Sequence, residues 1–196
     1  MAVPLVGLTG GIGAGKSTAL TELEALGAAV LSTDRVVHDL YETEPVRDAV
    51  RERFGAGVFD GAAVDRAALA RRAFADDADR AWLEQLIWPL VGERVARFHD
   101  EAARADPPPR AAIVESPLLF EAASADRYAA TIAIVAADPL RAARIAGRDQ
   151  AELARRERRQ LPQAEKAARA TFVVTNDGTR AQLRDSLAAI LARLAA

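Results

Sequence analysis

One segment constrains this chain more than any other: Gly10-Gly11-Ile12-Gly13-Ala14-Gly15-Lys16-Ser17, set between the apolar run Val3–Leu8 and a helical pattern that opens at Lys16. It satisfies G-x-x-x-x-G-K-[ST] at every defined position and stands in the strand–loop–helix context that this motif requires. Glycines let successive backbone N–H groups turn inward as an anion nest, and the helix that follows adds its positive N-terminal dipole. Lys16 is expected to reach the β- and γ-phosphates of a nucleoside triphosphate, and the Ser17 hydroxyl to be a ligand for Mg²⁺. The seat as a whole comprises Gly11, Gly13, Ala14, Gly15, Lys16, Ser17 and Thr18. A tight glycine turn packed on a sheet accounts for the glycines but not for Lys-Ser at this register. The dinucleotide fingerprint G-x-G-x-x-G fails, because Lys16 stands where its last glycine belongs. A guanine-reading switch fails too. The sole Asn, Asn176, is followed by Asp177 rather than Lys, and no Asp has Gly three residues later.

The rest of the chain supplies the frame for such a loop. Short apolar runs bounded by turn residues predict strands at Val3–Leu8, Ala28–Ser32, Ala111–Glu115, Thr131–Val135 and Phe172–Thr175. Helical patterns fill the intervals: Lys16–Leu26, several segments within 35–104, then 140–170 and finally 179–194. Strands apolar on both faces and alternating with helices predict an α/β fold, a doubly wound five-stranded parallel sheet. Ligands of such sheets lie at the carboxyl ends of the strands. At 196 residues, 51% apolar, the chain is long enough for one core and is not a disordered tail. Bulky core formers are sparse, since 46 residues are Ala.

Composition excludes several chemistries. The chain has no Cys, which removes disulfide and thiolate chemistry, and only His38 and His99, which makes a His-based metal cluster unsupported. The longest apolar run, Tyr128–Ala137, is too short to cross a bilayer, and the N-terminus lacks a basic leader. A soluble, cytoplasmic protein is expected. A net charge of −2 argues against binding nucleic acid through phosphate neutralisation. The charge is uneven, however. Residues 139–169 carry nine basic and four acidic side chains, a net of +5 that leaves −7 for the remainder. Such a run is either a solvated helix face or a lid over a polyanion. The basic residues divide into 24 Arg and two Lys, so where a lysine persists an ammonium is expected to matter rather than charge alone, and one of the two is Lys16.

A small kinase needs an acid at a strand end, a substrate-holding insertion and a basic lid, and each has a candidate. Asp34 follows the second strand, as a base for an attacking alcohol or as an N-cap for a helix opening at Arg35. Glu115 ends the third strand, either supporting Mg²⁺ through water or forming a buried salt bridge.

The ordered set of motifs resembles the dephospho-CoA kinase family. The loop Leu8–Thr18 is followed by Leu26-Gly27, Asp34, Phe54-Gly55, Asp65-Arg66 with Leu69 and Phe74, and Pro89-Leu90-Val91. Pro117-Leu118-Leu119-Phe120-Glu121 comes next, then Arg148-Asp149, Arg156 with Gln160, and Asn176-Asp177-Gly178. The loop is shared by many P-loop proteins; the Pro117–Glu121 segment and the order are far more specific. The resemblance implies one domain over 1–196: a P-loop kinase core (1–40, 110–138 and 171–196), a helical substrate-binding insertion over about 41–109, and a lid over about 139–170. It implies transfer of the ATP γ-phosphoryl group, with Mg²⁺, to the ribose 3′-hydroxyl of dephospho-CoA, the last step of coenzyme A synthesis. Asp34 is then the base, and Asn176 and Gly178 lie near the adenine. Leu118, Leu119 and Phe120 form an apolar wall for dephospho-CoA. Arg144, then Arg148, then Arg141 are the lid arginines expected at the transferring oxygens.

Three departures from the family pattern stand out. Ser32 replaces an acidic residue two positions before Asp34, Trp88 replaces a histidine before Pro89-Leu90, and the lid is about three residues short. If that histidine contacts the substrate in relatives, either Trp88 stacks where it hydrogen-bonded or the contact is dispensable. The competing expectations are another small-molecule kinase and a nucleotide-binding module without catalysis. A monomer or weak homo-oligomer is expected, with no nucleic-acid or membrane partner.

Overall fold

The computed structural model describes residues 2–147 and 149–194, leaving aside the side chains of Ala151, Glu152, Arg155 and Arg156. In chain order the strands are β1 (Leu5–Gly10), β2 (Ala29–Ser32), β3 (Phe59–Asp60), β4 (Ala63–Val64), β5 (Ala112–Glu115), β6 (Ala130–Val135) and β7 (Phe172–Thr175). The helices are α1 (Lys16–Ala25), α2 (Thr33–Leu40), α3 (Glu44–Phe54), α4 (Arg66–Ala73), α5 (Asp77–Arg104), α6 (Asp138–Ile145), α7 (Gln150–Glu157), α8 (Gln163–Arg169) and α9 (Arg180–Leu194). They form two compact units, Met1–Ser32 with Phe98–Ala196, and Thr33–Arg97.

The first unit is built on a five-stranded sheet in the order β2-β5-β1-β6-β7, every pairing parallel. Parallel neighbours need a crossover each, which the intervening helices supply. Val6, Leu8, Ile113, Ile132 and Ile134 point to one face, where they pack on Ala19 and Leu23 of α1 and on Leu183, Leu187 and Leu191 of α9. Leu23, Leu187 and Leu191 are fully buried, each contributing about 1.5–3 kcal/mol in area terms. On the other face the last turns of α5 place Phe98 and Ala102 against Val3 and Ala112, and α8 packs on β6 and β1. Gly7 of β1 has no side chain because Leu119 lies there: a Cβ would stand 2.3 Å from Leu119 Cδ1.

All five expected strands are present, β7 with the expected ends and the other four with shifted ends. β1 starts at Leu5, since Pro4 brings no N–H to a ladder, and the Val3 carbonyl is bonded to His99 Nε2 at 2.8 Å. It runs on to Gly10, so the sheet extends into the first glycine of the loop. The helical stretch expected over 140–170 is three helices. Gly147 turns the chain at φ +85°, and Pro162 disfavours helix at Leu161, so the pattern breaks on both sides of α7.

The second unit joins α2, α3, α4 and most of α5 to a short hairpin, β3–β4, that the strand pattern missed. Its turn carries Asp60-Gly61, with Gly61 at φ +59°, a hairpin signal in two residues. Val46, Val50, Leu69, Leu83 and Ile87 are buried. Asp79 on α5 accepts bonds from Arg53 Nη2 and Arg72 Nη1, both at 2.8 Å, and so ties α3, α4 and α5 together. The unit begins at Thr33 and ends at Arg97, whereas the insertion was expected over 41–109; the residues of α5 beyond Arg97 belong with the sheet they pack on.

Candidate active site

β1 delivers the chain into the glycine loop at the carboxyl edge of the sheet, and α1 leaves from it at Lys16. The Ala14 N–H bonds back to the Gly11 carbonyl at 3.2 Å, and the Gly15 carbonyl accepts the first helical bond, from Ala19, at 3.0 Å. Two of the glycines are obligatory. Gly13, at φ +76°, would bring a Cβ to 2.7 Å from the Arg141 carbonyl, and Gly15, at φ +98°, would bring one to 2.2 Å from Asn176 Nδ2. Neither the backbone conformation nor the space admits a side chain. Gly11, Gly13, Ala14, Gly15, Lys16, Ser17 and Thr18 are thus brought together as one loop and first helical turn, with Ser17 and Thr18 exposed and Ala14 buried. The Lys16 ammonium folds back over the loop and donates to the Gly10 carbonyl at 3.0 Å and the Gly11 carbonyl at 3.2 Å.

Two arginines of α6 lie against this loop. Arg144 Nη2 donates to the Asn176 carbonyl at 2.8 Å, and its Nη1 lies 3.3 and 3.4 Å from the carbonyls of Gly13 and Ala14. Arg141 Nε donates to the Ile12 carbonyl at 2.8 Å while its other arms meet Asp138 at 2.9 Å and Glu157 at 3.1 Å. Its guanidinium carbon would be 3.3 Å from a Cβ on Gly11. The last-ranked lid arginine therefore covers the loop as closely as the first. Arg148, ranked between them, lies outside the described residues, as does the side chain of Arg156.

Asn176, expected near the adenine, turns its side chain to the loop. Its side chain is buried and its amide donates to the Ala14 carbonyl at 2.8 Å, while its own N–H bonds the Val135 carbonyl at 2.8 Å. A carbonyl accepts only, so the amide nitrogen must face Ala14. The residue tethers the loop to the end of β7. Gly178 lies in the following turn, where a Cβ would meet the Gln182 side chain at 2.1 Å. That turn is held to the end of β6 by Asp177, which accepts the Ala137 N–H at 2.7 Å.

Leu119 is corrected from a ligand-facing wall residue to a core residue: it is fully buried, against Gly7. Leu118 and Phe120, on either side of it, remain half-buried. Glu115, at the end of β5, is buried and accepts the Ser32 hydroxyl at 2.8 Å. The hydroxyl at 32 donates to this carboxylate, which an acidic residue there, when ionised, does not do. Asp34 and Trp88 belong to the second unit. Asp34 is exposed in the first turn of α2, which opens at Thr33 and so leaves Asp34 inside the helix rather than capping it. Trp88 is 45% exposed on α5.

Sequence reasoning passed over Lys166. Its side chain is fully buried on α8, bonded to the Pro117 carbonyl and paired with Glu121 at 3.0 Å. Burial pushes its ammonium below the ordinary lysine range, against the opposing pull of Glu121 and Glu115. The signal was available, since it is one of two lysines among 26 basic residues.

A strand, a closed glycine loop, a helix that starts on Lys-Ser and cations resting on loop carbonyls form a seat for a polyphosphate. Comparison with known proteins specifies the family. The sequence profile described as dephospho-CoA kinase matches residues 4–182. A dephospho-CoA kinase of Syntrophotalea carbinolica is 36% identical over 97% of this chain and 92% of its own length, and one of Moorella thermoacetica is 39% identical over 92% and 89%. Among solved structures, a Thermus thermophilus protein superposes with a TM-score of 0.82 at 33% identity over 98% of both chains. A Campylobacter jejuni dephospho-CoA kinase, 19% identical over 99% of this chain and 98% of its own, shares the fold with a TM-score of 0.65. The chain belongs to the dephospho-CoA kinase family.

Proposed function

We propose that the protein transfers the γ-phosphoryl group of ATP to the ribose 3′-hydroxyl of dephospho-CoA in the cytoplasm, giving coenzyme A and ADP. The observation that carries this reading is the family match over residues 4–182, on a chain whose phosphate loop is complete. The residues present fit the donor. Gly13 and Gly15 leave the loop no room for a Cβ, and the Lys16 ammonium lies over the loop, where a phosphate oxygen would be a stronger acceptor than the Gly10 and Gly11 carbonyls. The exposed Ser17 hydroxyl would hold Mg²⁺ together with phosphate oxygens, and that ion neutralises charge on the β- and γ-phosphates.

The protein's part is positioning and charge neutralisation. Loop amides from Gly11 to Thr18 orient the phosphate tail, and Lys16 moves from the Gly10 and Gly11 carbonyls onto it. Asp34 accepts the proton of the 3′-hydroxyl as its oxygen bonds the γ-phosphorus and the bond to the bridging oxygen of ADP breaks. Its exposed carboxylate, two residues beyond the carboxyl end of β2, supports that role. Arg144 is assigned to the transferring oxygens because its guanidinium already lies on the loop. Leu118, Phe120 and Trp88 are assigned to the acceptor, and the main chain of the turn through Gly178 to the adenine side.

Incubation with ATP·Mg²⁺ and dephospho-CoA, followed by mass analysis, tests the reading. It expects one added phosphate on dephospho-CoA with matching ADP. Turnover only with a sugar, shikimate or a nucleoside monophosphate overturns it, and so does nucleotide binding without turnover.

A further inference from the structure

Lys166 is the second lysine of an arginine-rich chain, and its ammonium is buried where three stretches of the first unit meet. It bonds the Pro117 carbonyl and pairs with Glu121 Oε1 at 3.0 Å. That same oxygen accepts the Leu161 N–H at 2.7 Å, just before α8. On the far side of the helix start, Gln163 grips the end of β6: its Nε2 donates to the Ala136 carbonyl at 2.8 Å and its Oε1 accepts the Ala136 N–H at 3.2 Å. The helix that carries Lys166 is therefore fixed to the sheet, and Lys166 extends this fixture to the segment leaving β5. That segment follows the buried carboxylate of Glu115, the last residue of β5, and holds the half-buried side chains of Leu118 and Phe120.

The chemistry of the spot is rich in acceptors. The second Glu121 oxygen, Oε2, is buried without a hydrogen-bond partner among the described residues. A hydrophobic side chain at 166 would take the ammonium from the Pro117 carbonyl and leave the Glu121 carboxylate only the Leu161 N–H among its described donors. A buried ion pair is a poor device for stability alone, because apolar residues of similar volume often serve as well or better. What it provides is a defined geometry. A compact ammonium offers three donors on a flexible stem, where a guanidinium is wider and planar.

We propose that Lys166 is a positioning residue for the acceptor substrate, fixing the Pro117–Glu121 turn so that Leu118 and Phe120 present a set apolar surface to it. This rests on the reading of the acceptor given under Proposed function. Lys166 touches neither donor nor acceptor and acts through the turn.

The test uses the full chain with Lys166→Met and the double variant Lys166→Met/Glu121→Gln, which removes both charges of the buried pair. Steady-state kinetics are run separately in ATP and in dephospho-CoA, and backbone hydrogen exchange is followed without any substrate. Both variants are expected to raise KM for dephospho-CoA about tenfold or more and to leave KM for ATP within about twofold, as loss of a positioning contact on one substrate should. The amides of Leu161, Ala122 and Ser124 are expected to exchange faster. Should Lys166→Met fail to fold, the double variant carries the test. An unchanged KM for dephospho-CoA with unchanged exchange overturns the proposal, as does an equal loss for both substrates in step with thermal stability. Absence of wild-type turnover on dephospho-CoA would instead refute the assigned acceptor, leaving the exchange measurement to decide whether Lys166 holds the turn.

Discussion

Replacing Asn176 by aspartate keeps the side chain's shape and reverses what it offers to the Ala14 carbonyl. In the native chain the amide donates to that carbonyl at 2.8 Å from a buried position, and among the described residues Arg144 Nη1 is its one other side-chain donor, at 3.4 Å. Asn176→Ala removes the short bond and leaves the long one, so its cost lies at the lower end of the range for a buried acceptor, about 1–2 kcal/mol. Asn176→Asp sets a carboxylate oxygen against the carbonyl and costs more, about 3 kcal/mol even with Arg144 nearby. For a chain of this length about 3 kcal/mol corresponds to a fall in Tm of roughly 6–12 °C. Because the tether fixes the loop at Ala14 and Gly15, kcat/KM for ATP should fall by about 10²-fold, the penalty for a displaced phosphate seat. Circular dichroism melts and steady-state kinetics in ATP measure the two effects. If Asn176→Asp melts within about a degree of wild type and changes only KM for ATP, the side chain faces the nucleotide and the tether is wrong.

Other substitutions separate the remaining roles. Asp34→Asn should lower the phosphoryl-transfer step by about 10²- to 10⁴-fold in single-turnover measurements while ATP affinity by titration holds; unchanged turnover removes Asp34 as the base. Lys16→Ala should cut kcat by about 10²-fold or more without altering the melt, and retained activity at saturating ATP would contradict the assignment of its ammonium to the phosphates. Glu22 makes a prediction about acid. Its carboxyl, buried between α1 and α9, is held below its ordinary value of 4.5 by the hydrogen bond from Arg180, with Arg184 assisting at 3.3 Å. A depressed carboxyl contributes stability that is whole above 4.5 and lost as pH falls through the lowered folded value. Glu22→Gln should therefore flatten the dependence of Tm on pH below that point, and an unchanged slope would show that the pair is not what titrates.

What could be read in the sequence was whatever local pattern encodes. The glycine loop announces itself because its backbone conformation demands glycine and its chemistry demands Lys-Ser, and both demands fall within eight residues. The three central strands were legible because burial on both faces leaves uninterrupted apolar runs, and the part-buried edge strands β2 and β7 because their short runs are still mostly apolar. The hairpin at Phe59–Val64 was missed because its strands are two residues each, too short for alternation to register, although Asp60-Gly61 marked the turn. The long helix α5 carries Pro89 in its interior, so the pattern over 35–104 gave only segments.

The site was harder, because a side chain's direction is a tertiary fact. Leu118, Leu119 and Phe120 look equivalent in sequence, yet the middle one fills the space that Gly7 vacates. Asn176 was placed near the adenine from its place in a motif, and nothing in that motif showed that its amide bonds a carbonyl 162 residues away in the chain. Arg141 and Arg144 both reach carbonyls of the loop, one while paired with Asp138 and Glu157 and the other while bonded to the Asn176 carbonyl, and no pattern of charge could rank them.

The loop near the start of the chain is completed by partners that come late. Ala14 is clasped by Asn176, and both Gly13 and Asn176 are linked through Arg144, so segments made early, in the middle and near the end of synthesis close one knot. On the ribosome the glycine loop emerges first, yet it lacks its clasp until β7 has followed it out. Competence to hold a triphosphate is thereby deferred until the sheet has gained its final strand, and an unfinished chain has little means of sequestering nucleotide.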